Sequence, residues 1–68
     1  MAQGRVKWYS ANLGYGFIAP DGEGEDILVA HEDVAGDGFE NLENGARVTY
    51  EPVQGREGME AKNVSRSD

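Results

Sequence analysis

A chain of 68 residues is long enough for one small domain, residues 1–68, with a modest core. It has no cysteine and a single histidine, His31, with no ligand types clustered near it at metal-site spacing; this argues against disulfides, thiolate metal sites and a metal enzyme. The formal net charge of -7 disfavours long-range attraction to a polyanion, but the charge is unevenly spread. Residues 1–20 carry Arg5 and Lys7 and no acid, residues 21–45 carry nine acids and no base, and residues 46–68 carry four of each. The N-terminal Met1-Ala2-Gln3-Gly4-Arg5 lacks an apolar signal region and no run is long enough to cross a bilayer, so a cytoplasmic protein that does not bind membranes is expected.

Ten glycines and two prolines punctuate the chain every several residues, which predicts short strands and turns rather than long helices. The first strand is expected over residues 4–10, ending near Asn12. The second covers residues 14–19 and is closed by the turn signal Pro20-Asp21-Gly22. The third covers residues 26–31 and is followed by a long polar connection over residues 32–45. The fourth covers residues 46–53, closed by Gln54-Gly55-Arg56, and the fifth covers residues 59–65.

Because a strand sends alternate side chains to opposite faces, Ile27 and Val29 oppose Leu28 and Ala30, and Val48 and Tyr50 oppose Arg47, Thr49 and Glu51. The expected core is Val6, Ile18, Ile27, Val29, Val34, Val48 and Val64. One conflict appears in the first strand: Val6 and Trp8 share parity, yet Val6 suits the interior and Trp8 an outward site. A bulge between them would reconcile the two. Five short strands leave open edges that barrel closure removes. Three consecutive strands, a long crossing and two more strands are the layout of an all-β, five-stranded antiparallel OB barrel; a small SH3-like barrel is the nearest competitor on pattern.

The segment Gly14-Tyr15-Gly16-Phe17-Ile18 carries the chemistry. Tyr15 and Phe17 share one strand face, while Gly16 and Ile18 share the other. Ile18 can serve the core from its side, which leaves the two rings free to face outward with Trp8. Aromatics are more often buried payload, but bare glycines beside these rings leave a flat, open surface of the kind on which unstacked bases lie. Arg5 and Lys7 lie in the only segment with a positive excess and suit phosphate contact, with Lys62 and Arg56 as weaker candidates. No glycine-rich loop ends in Lys-Ser or Lys-Thr, and Ser10, Ser65 and Ser67 have no His/Asp arrangement suggested by spacing. A non-enzyme without cofactor or small-molecule substrate is expected.

Read together, Gly4-Arg5-Val6-Lys7-Trp8-Tyr9, Gly14-Tyr15-Gly16-Phe17-Ile18, Asp26-Ile27-Leu28-Val29, Gly38-Phe39, Leu42-Glu43-Asn44-Gly45 and Ala61-Lys62-Asn63-Val64 resemble, in order and spacing, the bacterial cold-shock protein family over nearly the whole chain. The resemblance implies an OB barrel that binds single-stranded RNA and DNA without catalysis and holds RNA unpaired. It also implies two ribonucleoprotein-like motifs at the base-stacking face. The first is Leu13-Gly14-Tyr15-Gly16-Phe17-Ile18, with both ring positions filled and Leu13 where a lysine is usual. The second, Asp26-Ile27-Leu28-Val29-Ala30-His31, has Leu28 where the family has an aromatic, Ala30 where it has a histidine, and His31 at the following aromatic position.

The expected nucleic-acid-binding residues are therefore Arg5, Lys7, Trp8, Tyr15, Phe17, His31, Phe39 and Lys62, in a monomeric protein whose partner is single-stranded RNA or DNA. With few bases near the rings, affinity should rest more on stacking than on counterion release. A different reading is an OB-barrel protein-interaction module whose acidic loops dock a basic partner. The charge of -7, Leu13 and the altered third strand motivate that alternative.

Overall fold

A computed structural model describes residues 2–22, 24–35, 42–56 and 58–67. Five strands are present: β1 (Ala2–Ser10), β2 (Tyr15–Pro20), β3 (Ile27–Ala30), β4 (Arg47–Gln54) and β5 (Met59–Arg66). They close into a barrel in the order β1-β2-β3-β5-β4. Every pairing is antiparallel except β3 with β5, which run parallel and complete the circle. Closure satisfies the backbone groups that an open five-stranded sheet would leave at its edges.

All seven expected core residues are buried: Val6, Ile18, Ile27, Val29, Val34, Val48 and Val64. Tyr50, Leu42, Ala46 and Ala61 complete that interior. Tyr50 fills the barrel as its largest fully buried side chain, on the same face of β4 as Val48. After β3 the chain does not stay extended through His31. His31–Asp33 form a 3-10 turn, closed by the Val34 amide donating to the His31 carbonyl at 3.2 Å. Val34 then bridges in parallel to Val64, which plugs the interior below β3.

A second irregularity lies in β5. Its register with β4 shifts between Thr49 and Glu51, and Asn63 there adopts a left-handed backbone at φ 51°. Asparagine tolerates that region better than most residues, and its side-chain amide donates to Glu51 Oε2 at 3.1 Å. The shift lets Ala61 and Val64, of opposite parity, both face inward.

Candidate nucleic-acid interface

The outward face of β1, β2 and β3 is set by one extra residue. Val6 pairs with Ile18, but Trp8 pairs with Phe17, so Lys7 is bulged out of the ladder. The bulge resolves the parity conflict in β1. Val6 is 2% exposed and Trp8 is 36% exposed, although only Lys7 separates them. Tyr15 is likewise exposed and Phe17 half-buried, while Gly16 and Ile18 point into the barrel.

These three rings form one cluster. Trp8 lies 5.6 Å from Tyr15 and 5.9 Å from Phe17 between centroids, and Tyr15 lies 6.3 Å from Phe17. Interplanar angles of 57°, 66° and 85° show tilted or edge-on contacts, with no pair stacked face to face. The rings brace one another while aromatic surface stays open to solvent. Gly16 is what brings β1 this close: a Cβ there would run into the Trp8 carbonyl oxygen and lie 2.7 Å from Tyr9 Cα. The ladder extends the face across β3, where Leu28 pairs with Phe17 and Ala30 with Tyr15, both half-buried. It continues to β5, where Glu60 pairs with Leu28. A single row therefore crosses four strands as Trp8, Phe17, Leu28 and Glu60.

The basic residues are partly committed to carboxylates. Lys7 donates to Asp26 at 2.9 Å on the surface. Lys62 pairs with Asp33 at 3.2 Å and with Glu60 at 3.5 Å; the hydrogen bond to Asp33, foremost among several causes, raises the Lys62 ammonium above its ordinary pKa. Arg47, which sequence reasoning did not single out as a binding residue, pairs with Asp21 at 2.7 Å. Arg5 is exposed on β1, opposite Ala19 and Arg47, and makes no ion pair among the described residues. His31 is exposed at the head of the 3-10 turn, and its amide donates to the Gly14 carbonyl at 2.9 Å, which ties it to the turn that presents Tyr15. Phe39 lies outside the described residues.

Sequence reasoning missed the far wall of this surface. A cleft of about 370 Å³ opens beside the rings, lined by Phe17, Leu28, Arg56, Gly58 and Glu60. The sequence offers Arg56 only as a weak phosphate candidate. Glu60 carries no signal in the sequence, because its place beside Leu28 depends on the parallel β3–β5 pairing, which local pattern does not reveal. Among the described residues no three His, Cys, Asp or Glu side chains come together to hold a metal ion, and no helix is long and apolar enough to cross a membrane.

The family model described as the 'Cold-shock' DNA-binding domain matches residues 2–67. The chain belongs to the cold-shock domain family. Among its relatives are Cold shock-like protein CspA of Stigmatella aurantiaca, 44% identical over 64 residues, covering 94% of each chain. Cold shock-like protein CspD of Bacillus cereus is 43% identical over 67 residues, covering 98% of this chain and 100% of the relative. Cold shock protein CspB of Geobacillus stearothermophilus is 45% identical over 64 residues, covering 94% of this chain and 96% of the relative. In a solved structure, drosophila Unr CSD456, the fold is similar with a TM-score of 0.81 at 15% identity, over 98% of this chain; the match spans 26% of that longer chain. This cold-shock domain thus has the OB barrel that its strand pattern implies, with the ring cluster on the outer face of β1 and β2.

Proposed function

We propose that this cold-shock domain protein binds single-stranded RNA and DNA by stacking bases on Trp8, Tyr15 and Phe17, and so acts as an RNA chaperone. The observation that carries the reading is the ring cluster itself: three aromatic side chains held together on an outer barrel face, none of them part of the core. Family membership supports the same reading. Each stacked base contributes about 1–3 kcal/mol irrespective of sequence. Arg5, Lys7 and Lys62 approach phosphates and set strand position. His31 and Phe39 add contacts at the margin of the face, since histidine and phenylalanine rings also stack on bases. The bound strand must be unpaired, because bases within a duplex are stacked on each other and hide their faces.

Chaperoning then needs no catalysis and no cofactor. A protein that binds only the open strand pulls a hairpin equilibrium toward the open form by mass action. The protein works as a cytoplasmic monomer in this account, with unpaired RNA as its partner and with effects on transcription or translation following from which structures it melts. An acidic docking module is not favoured, since it leaves the exposed ring cluster without a use.

The test uses an RNA hairpin labelled with a fluorophore and a quencher at its two ends. Added protein should raise emission in a saturable way and should not bind a blunt duplex of the same stem. Equal affinity for hairpin loop strand and duplex would refute the stacking mechanism.

A further inference from the structure

The cleft beside Phe17 contains a carboxylate where a polyanion is to be bound, and that carboxylate is held in place. Glu60 stands across from Leu28 in the strand ladder, next along the row from Phe17. Its side chain is about one-third exposed, at 32%. Lys62 Nζ lies 3.5 Å from Oε1 on one side. On the other side the carboxylate rests over Gly55, where a Cβ would collide with Oε2 and come within 2.9 Å of Glu60 Cγ. The bare glycine thus provides the space that the carboxylate fills, and the Gly55 amide donating to the Gly58 carbonyl at 2.7 Å closes the loop beneath it. Phe17, Leu28, Gly58 and Arg56 form the remaining walls.

An ionised carboxylate only accepts hydrogen bonds. It repels phosphate, so its partner in this cleft must be a base edge that presents a donor. Cytosine N4, adenine N6 and guanine N2 are amino groups that project from the ring edge. The one N–H of uracil or thymine is recessed between two carbonyl oxygens, at least one of which would face the carboxylate. We infer that Glu60 makes the Phe17–Leu28 cleft selective for an amino-bearing base, stacked on the Phe17 ring with its exocyclic amino group donating to the Glu60 carboxylate. The inference deepens the stacking reading and rests on it. Lys62 is then a positioning residue, which together with the bare Gly55 fixes where the carboxylate lies.

Oligodeoxycytidine and oligodeoxyuridine hexamers test this, because they share backbone, ring size and stacking mode and differ at the base edge. The wild-type protein should bind the cytidine hexamer about tenfold more tightly, the low end of what a well-placed base contact discriminates. Glu60→Gln keeps the size of the side chain but can donate as well as accept. It should bind both hexamers with affinities within about threefold, while general gains from removing a negative charge cancel in the ratio. A wild-type ratio below about threefold, or one that Glu60→Gln leaves unchanged, overturns the inference while leaving base stacking intact. Failure of the wild-type protein to bind either hexamer overturns the stacking reading itself, and the inference with it.

Discussion

Trp8 and Phe17 are direct partners across β1 and β2, with ring centroids 5.9 Å apart and planes at 66°. They meet on the outside of the barrel because Lys7 is extra in the ladder. Without the bulge, Trp8 would share the inward face with Val6, and the cluster would lose its largest ring.

The close approach of β1 to β2 gives the first prediction. A methyl group at position 16 would meet backbone, the Trp8 carbonyl and Tyr9 Cα, and not the far end of a flexible side chain. Gly16→Ala must push the strands apart beneath the rings. Overpacking of this kind costs about 1–3 kcal/mol, which in a domain this small lowers Tm by roughly 5–20 °C. Thermal unfolding followed by circular dichroism checks it; an unchanged Tm would mean that the strands are not in this register.

Much of this architecture is legible in the sequence, and the exceptions share a cause. Alternation alone puts Ile18, Ile27, Val29 and Val48 inside, and the parity clash of Val6 with Trp8 points to the bulge in β1. The local pattern does not mark the bulge in β5, although Asn63 is a residue type suited to its left-handed backbone. Alternation puts Tyr50 on the face of Val48 but does not mark it as core, because tyrosine suits both interior and surface. The extended third strand stops one residue early, where the chain turns at His31. Glu60 reaches the cleft through the β3–β5 pairing, a contact between segments about thirty positions apart that no local window reports, and Arg56 reaches it from the turn between β4 and β5.

The third strand offers a gain-of-function test. Leu28 and Ala30 stand beside Phe17 and Tyr15 on the outer face and are only half-buried. Leu28→Phe with Ala30→His adds two flat rings to a surface already in place. Oligonucleotide affinity should rise by about tenfold or more, from the low end of what one stacked base contributes. Isothermal titration with a pyrimidine-rich oligonucleotide measures it, and unaltered affinity would remove β3 from the binding face.

Lys7 gives a test of electrostatics. Its partner Asp26 is a surface carboxylate 2.9 Å away, and pairs of this kind contribute about 0–1 kcal/mol to stability. Asp26→Asn should therefore leave Tm nearly unchanged. It should release Lys7 for phosphate contact, so that oligonucleotide affinity increases at low salt and the log-affinity against log-salt slope steepens by up to about one. A slope identical to that of the parent protein would show that Lys7 does not reach the backbone.

Stability at alkaline pH follows from Tyr50. Burial, with a smaller contribution from the Asp21 charge, raises its phenol above the ordinary 10.0, and burial raises Tyr9 in the same direction. A raised folded pKa means that the native state holds protons the unfolded chain has released. The contribution is fully present below pH 10.0 and is lost as pH rises through the folded values. Tm should fall once that point is passed, and Tyr50→Phe should make the fall shallower. A Tm that stays level across the range would contradict the buried protonated phenol.

The most direct measurement is a titration of Trp8 emission with a short single-stranded, pyrimidine-rich oligonucleotide, in the parent protein and in Phe17→Ala. Trp8 is the only tryptophan, so the signal reports this face alone. The account predicts saturable quenching in the parent. In Phe17→Ala, with the barrel folded by circular dichroism, affinity should drop by about tenfold or more, as expected for one lost stacking ring. Emission that does not respond to the oligonucleotide, or quenching of equal affinity in both proteins, would contradict it.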